Sequence, residues 1–423
     1  MKLLICIAGL LFCLFPYTQV IPLETYNQPY ASIFAGLTVV VTWPLLVERF
    51  PRMDALALIT LAVIGLLAFV LTCLPRPNAQ EVKYLLIYLS PAIFAAAGFA
   101  TVILYPKQAD RAVLFAAVAW IFVGLVQTLF QPDFATGLVG VFGNAAGDIV
   151  DSGRGTLGLA PEPTHFGFHM IILAAALLLV GGRNGMAIAC LVTAVLIARS
   201  SSAVLSLALG GFIFLCLFAK WARLGLLLIV PFYLMVGAIV HSGALPADLR
   251  ITSLLTEFYQ DPLYLVTSDA STNARLGGIY VGVQEIFKNL FLPAGLSSET
   301  WLARVGPIMS ENLWLMNLSY SGIPSGILIV IYQIGIFGLL LLGFLLYRLL
   351  TGLRSHFETL LICAAVFVFF SQYLISTPGF GLLYGLALAR RQVGIASTNR
   401  GDSYVAARVQ HRQRHPYATP VEA

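Results

Sequence analysis

Residues Gly153–Gly181 read GRGTLGLAPEPTHFGFHMIILAAALLLVG. The second half of this stretch decides the fold. From His165 to Gly181 the two histidines are the only side chains that can ionise, and a run of that length crosses a bilayer as a helix. The first half raises the question of function. An Arg, a Glu and two His stand beside one greasy helix, which is more than capping requires. Pro161-Glu162-Pro163 prescribes an extended approach, and Thr164 is placed to cap the helix that follows. Glu162 precedes the helix, where the positive end of the dipole favours an anion. If the helix begins early enough to include it, Glu162 shares one helical face with His165 and His169 at spacings of three and four.

Comparable apolar runs recur along the chain. Of 423 residues, 59% are hydrophobic and 10% are charged, and the mean hydropathy is +0.90. Soluble domains carry about a quarter charged residues, so a water-soluble globule is excluded. The pattern predicts an all-α polytopic membrane protein with about twelve transmembrane helices. They fall at about 2–21, 30–47, 54–74, 83–105, 112–130, 165–181, 186–199, 202–219, 224–241, 324–347, 358–375 and 379–390. The last is short because Pro378 and Gly379 precede it. The opening MKLLICIAGLLFCLF looks like a secretory leader, but no small-x-small site follows, so we expect an uncleaved first span. The cysteines lie in apolar segments without metal-ligand spacing and read as small membrane-facing or core residues, not as disulfide partners.

Basic residues orient the chain. With the N-terminus in the cytoplasm, sixteen of the twenty-four Lys and Arg fall on the inside, many of them in the C-terminal tail. Residues 1–390 then form one membrane domain. The polar, basic tail 391–423 is expected to be cytoplasmic, disordered and near anionic lipid. Two segments face outside: one at about 131–164, and a large one at about 242–323 between the ninth and tenth spans. Within the latter, 276–291 has apolar groups at helical spacing, with Gln284, Glu285 and Lys288 elsewhere, as in a helix lying on the membrane surface. The scattered basic residues do not make a nucleic-acid patch.

Charges are sparse within the spans and collect on the external side: Arg154, Glu162, His165, His169, Arg199, Arg250, Arg275, Arg304 and Glu311. Each has a plain reading beside a functional one. Glu162, His165 and His169 make a helix start with two interfacial histidines, or a lipid-headgroup or catalytic site. A metal site on His165 and His169 lacks a third acidic ligand at a recognised offset. Arg275 precedes the surface helix as a solvated residue, or as a ligand. Arg199, followed by three serines, ends a tight turn with a capping Ser, or adds a third cation. Taken together, several Arg with few carboxylates at one interface suit a diphosphate, because the guanidinium fork binds phosphate oxygens in pairs. A diphosphate beside apolar spans points to a polyprenyl-linked sugar.

The chain resembles the O-antigen and exopolysaccharide polymerases (Wzy-like) and, more distantly, the O-antigen ligases. Three features carry the likeness. Arg154, Gly158-Leu159 and Glu162-Pro163-Thr164 match an Arg, Gly-Leu, Glu-Pro-Ser pattern that enters a span. Arg275, Gly277 and Leu292-Pro293-Ala294-Gly295-Leu296 match the large late loop. Glu311-Asn312 with Gly322 and Gly326 match the segment after it. Thr164 stands where the family has Ser, and Glu311 where the ligases carry His, which favours a polymerase. The resemblance implies a metal-independent glycosyltransferase with no cofactor, in the inner (cytoplasmic) membrane of a bacterium. It would move a glycan from a polyprenyl diphosphate-linked oligosaccharide to an acceptor hydroxyl on a lipid-linked repeat unit. Arg154 and Arg275, with Arg199 third, would hold the diphosphate; Glu162 would be the base or acceptor-orienting group, with His165 in reserve. His169, Glu311 and Asn312 are further candidates. A chain-length regulator and a flippase are partners the resemblance brings with it. A ligase, a flippase or exporter for lipid-linked oligosaccharide, and a non-catalytic scaffold are the rival readings; a transporter would line a central path with polar groups.

Overall fold

The computed structural model describes residues 1–19, 28–73, 79–139, 155–218, 270–315, 323–351, 355–371 and 373–393, with isolated positions between 231 and 259 and at 353. Every regular element among them is helical. In chain order these are α1 (Lys2–Leu14), α2 (Tyr30–Arg49), α3 (Arg52–Cys73), α4 (Ala79–Leu104), α5 (Pro106–Leu129) and α6 (Pro163–Gly181). Then come α7 (Asn184–Val192), which runs into a π-helical turn at Thr193–Ile197, and α8 (Ser201–Phe218). After them lie α9 (Ala270–Lys288), α10 (Ser298–Glu311), α11 (Gly326–Ile334), α12 (Ile336–Leu350), α13 (His356–Ser371) and α14 (378–393). The span expected at 224–241 and the tail from 394 lie outside the described residues.

Helices α2 to α6 are long and apolar enough to cross a membrane, and α1, α7, α8, α12 and α13 are shorter apolar helices. The outer faces of α2 and α3 leave Ile33, Val40, Trp43, Val47, Leu56, Ile59, Val63 and Leu71 exposed. A contiguous face of large aliphatic side chains is tolerated only where lipid covers it. The protein is a membrane-embedded helical bundle.

Helix α6 is its axis. Sixteen of its nineteen residues are buried, which fits a helix that is apolar all round. It packs against α5, α7, α8 and α13, while α1, α2, α3 and α4 form an adjoining layer. Small residues bring helices close where the hydrophobic effect no longer drives association. A Cβ on Gly385 of α14 would lie 2.1 Å from the Ala95 carbonyl oxygen of α4.

Several span boundaries differ from the sequence reading. The first span, expected to reach residue 21, ends at Leu14. The span expected at 324–347 is broken at Gly335 (φ 63°) into α11 and α12. The segment after Pro293 explains the break. Ala294 N–H donates to the Tyr332 carbonyl (3.1 Å) and Gly295 N–H to that of Gln333 (3.0 Å), while Ile336 N–H donates to Phe291 (2.8 Å). These bonds satisfy carbonyls at the end of α11 that would otherwise be stranded. Unbroken hydropathy from 326 to 350 conceals this. The surface helix expected at 276–291 spans Ala270–Lys288, so Arg275 lies inside it rather than before it. Glu285, expected on its polar side, is buried. Arg391, expected to open the tail, still belongs to α14.

One end of the bundle uses its charges in pairs. Arg348 grips the fully buried Asp54 with two bonds (2.6 and 3.0 Å), and Tyr384 also donates to Asp54. Arg183 binds Asp110 the same way (2.6 and 2.8 Å). Arg390 pairs with Glu358 and donates to the Leu179 carbonyl. These pairs tie α3 to α12, α5 to the α6–α7 turn, and α13 to α14.

Candidate functional site

The opposite end holds the candidate site. Helix α6 starts there, but its N-cap is Glu162, in extended conformation, with Pro163 at the first helical position. Thr164 is therefore not the cap. Proline fits that position because it has no N–H to strand. The loop before it, 155–161, is buried and held from both sides. On one side the Gln127 amide of α5 donates to the Gly158 carbonyl (3.0 Å) and accepts from Gly158 N–H (2.7 Å), and it also donates to the Phe134 carbonyl (2.8 Å). On the other side Thr156 N–H donates to the Ile197 carbonyl (3.3 Å). Gly155 (φ 92°) approaches so closely that a Cβ would sit 2.2 Å from the Ala198 carbonyl oxygen and 2.9 Å from Arg199 Cβ.

Arg199 is thereby brought next to the loop that follows Arg154. It has a left-handed backbone (φ 46°), is exposed, and sits between the π turn and α8. Non-glycine residues adopt that conformation at some strain, which functional sites often retain. Ser200 caps α8 through its hydroxyl, which accepts from Ala203 N–H (3.2 Å), so the capping Ser expected from sequence is present.

His165 and His169 both face the stub where α1 ends. His165 lies 5.8 Å from the Tyr17 ring and 6.0 Å from that of Tyr373. The Tyr17 hydroxyl donates to that of Tyr373 (2.7 Å), and Glu162 is near enough to act electrostatically on Tyr17. The result is a half-buried Glu and His above two phenols. His169 has a different role. Its Nε2 meets the Leu14 carbonyl at 2.8 Å, which requires a proton on Nε2, and Trp120 Nε1 donates to the same carbonyl (3.0 Å). Buried, with its ring tilted against Trp120 at 4.4 Å, His169 fastens α6 to the end of α1 and is not a surface ligand. Among the described residues no three His, Cys, Asp or Glu side chains converge as metal ligands.

The Trp120 and His169 layer lies inside the bundle. Trp120 lies nine residues below the top of α5, about 14 Å at 1.5 Å per residue. Sequence reasoning missed Tyr17, Tyr373, Trp120 and Gln127, because no local pattern links residues that meet only through the fold.

No protein-family model matches the chain, and no curated protein matches it.

The remaining candidates stand farther out. Helices α9 and α10 cover the same end: Gly295 abuts Thr72 at the top of α3, and Ser298 N–H donates to Glu81 of α4 (3.3 Å). Their support, α11, begins beside Tyr373, since a Cβ on Gly326 would lie 2.5 Å from the Tyr373 carbonyl oxygen. Asn312 closes α10, its amide donating to the Ile308 carbonyl (2.8 Å) with Oδ1 at 3.5 Å from the Tyr280 hydroxyl. That is a structural cap. Glu311 is exposed at the same helix end. Arg154 and the Arg275 side chain lie outside the described residues. Among the described residues neither Glu162 nor Arg199 makes an ion pair.

Proposed function

We propose that the protein is a polysaccharide polymerase of the bacterial inner membrane, using a polyprenyl diphosphate-linked oligosaccharide as donor and a lipid-linked repeat unit as acceptor. In this reading the chain makes about twelve spans, the end that carries Glu162 faces the periplasm, and 242–323 is the large external loop. The single observation that carries the reading is the locked loop 155–161, which ties the Arg199 turn to Glu162 and His165 at one mouth.

The chemistry follows from those groups. The acceptor hydroxyl oxygen attacks the anomeric carbon of the donor, the bond from that carbon to the diphosphate oxygen breaks, and polyprenyl diphosphate leaves. Glu162 takes the hydroxyl proton, with His165 one turn along as the alternative base. Arg199, with Arg154 and Arg275, offsets the charge on the departing diphosphate. Tyr17 and Tyr373, buried beneath Glu162 and His165, hold this end of the bundle in shape through their shared hydrogen bond. No cofactor is needed, because the energy resides in the donor.

The test is the product ladder formed by purified protein from a defined lipid-linked repeat. Wild type should give long chains. Glu162→Gln and Arg199→Ala, checked for membrane insertion, should leave single repeat units. Long chains from both variants, or no chain growth by wild type, would reject the proposal.

A further inference from the structure

At the end opposite the candidate site, α1 and α5 run side by side in the same direction. The bond from Trp120, in the middle of α5, to the Leu14 carbonyl at the upper end of α1 fixes the register. Between their lower halves lies a groove of about 440 Å³ lined by Leu3, Leu4, Ile7, Leu11, Ala112 and Phe115, with Gln108 and Arg111 also in its wall. Leu3, Leu4 and Phe115 are exposed along it. From Leu3 to Leu11 its apolar side extends about 12 Å along α1.

The charges identify the occupant. Three other arginines at this end already hold carboxylates: Arg183 on Asp110, Arg348 on Asp54 and Arg390 on Glu358. Arg111 does not, since among the described residues no carboxylate lies within ion-pair distance of it. Lys2 and Lys107 stand next to the groove in the chain; Asp110, which also adjoins it, is bound by Arg183, and none of the lining residues is acidic. An apolar channel with an unmatched guanidinium at the level of the helix starts fits a molecule with a long hydrocarbon tail and a negative head.

We infer that this groove binds one anionic glycerophospholipid, an acyl chain lying along Ile7, Leu11 and Phe115 and the phosphate on Arg111. The site is separate from the Glu162 mouth and does not depend on the function proposed for it. Its energetic basis is the attraction between a basic side chain at the membrane surface and an anionic headgroup, added to the burial of the chain.

The test is native mass spectrometry of the full-length protein after exchange into detergent with equal amounts of phosphatidylglycerol and phosphatidylcholine of the same chains. Wild type should keep one phosphatidylglycerol in preference to phosphatidylcholine by about fivefold, the worth of one basic contact. Arg111→Ala should bring that ratio close to one while lipid still binds. Leu4→Trp, which fills the channel from an exposed position, should reduce retention of both lipids. Matching elution profiles and melting curves will show that both variants remain folded. Equal retention of the two lipids by wild type, a preference that survives Arg111→Ala, or binding that climbs past one lipid without saturating would each overturn the inference.

Discussion

Gln127→Met should release the loop that holds Glu162. The substitution keeps the side chain's length and leaves no cavity, but it removes both bonds to Gly158 and the one to Phe134. Gly158 N–H and C=O are then left buried without these partners. A net loss of about 1 kcal/mol for each of the three bonds gives roughly 3 kcal/mol. That energy falls on local opening of 155–161, because the cores of α5 and α6 are untouched. A cysteine reporter at Ala160, which is 1% exposed, would read it in a Cys216→Ala background. Maleimide labelling should quicken about a hundredfold, since every 1.4 kcal/mol is a factor of ten. Thr128→Ala is the control: its hydroxyl serves only the Gly124 carbonyl of its own helix, and labelling should not change. If Gln127→Met labels at the wild-type rate, the amide is not what secures the loop. If labelling rises and polymer length stays the same, the position of Glu162 does not govern turnover, where a shift of about 1 Å should cost about a hundredfold.

Other consequences are more direct. Asp54→Asn leaves the Arg348 guanidinium in the bundle without its counter-charge and should lower stability by about 3–5 kcal/mol, read as a lower melting temperature in detergent. Asp54→Leu combined with Arg348→Met should recover most of that loss, because the two effects share one contact. Gly335→Ala places a Cβ 2.4 Å from the Phe291 carbonyl oxygen at φ 63°, and should cost about 1–3 kcal/mol from backbone strain alone, measured by the same melt. Tyr17→Phe removes the bond to Tyr373 for about 1 kcal/mol of stability, read in the same melt.

How far the sequence discloses this depends on the range of the interaction. Helices α2 to α6 announce themselves because hydrophobic length is a property of consecutive residues. Glu162, His165 and Arg199 were legible for a related reason: charges are rare in this chain, so those near a span entry stand out. The break at Gly335 was not legible, since apolar residues run straight through it and its cause, the docked 291–295 segment, is some forty residues upstream. The pairings of Asp54 and Glu358 were not legible either, because their arginines come from helices far along the chain. Gln127 resembles any polar residue near the end of a span, and only the fold reveals that its amide acts as a surrogate backbone for Gly158. His169 misled through its spacing from His165. A three-and-four pattern shows which residues share a helical face, and the neighbour of that face, here the end of α1, decides whether they are ligands or fasteners.

The two ends of the bundle treat charge in opposite ways, and the contrast bears on the mouth at Glu162. At the far end, Asp54, Asp110 and Glu358 each hold an arginine, so attraction between them joins helices and those three arginines are engaged. At the mouth, the Gly155 approach and the Gln127 latch keep Glu162 and Arg199 at opposite ends of one short loop, and neither has an ionic partner among the described residues. A guanidinium already engaged by a carboxylate must give it up before binding a phosphate, and a paired carboxylate is a weaker base. Holding the two apart leaves Arg199 able to receive negative charge and Glu162 able to accept a proton, on the two sides of one locked loop. That separation is a property of the loop, so Gly155→Ala, whose Cβ would collide with Ala198, should impair both functions together while leaving the ion pairs of the far end intact.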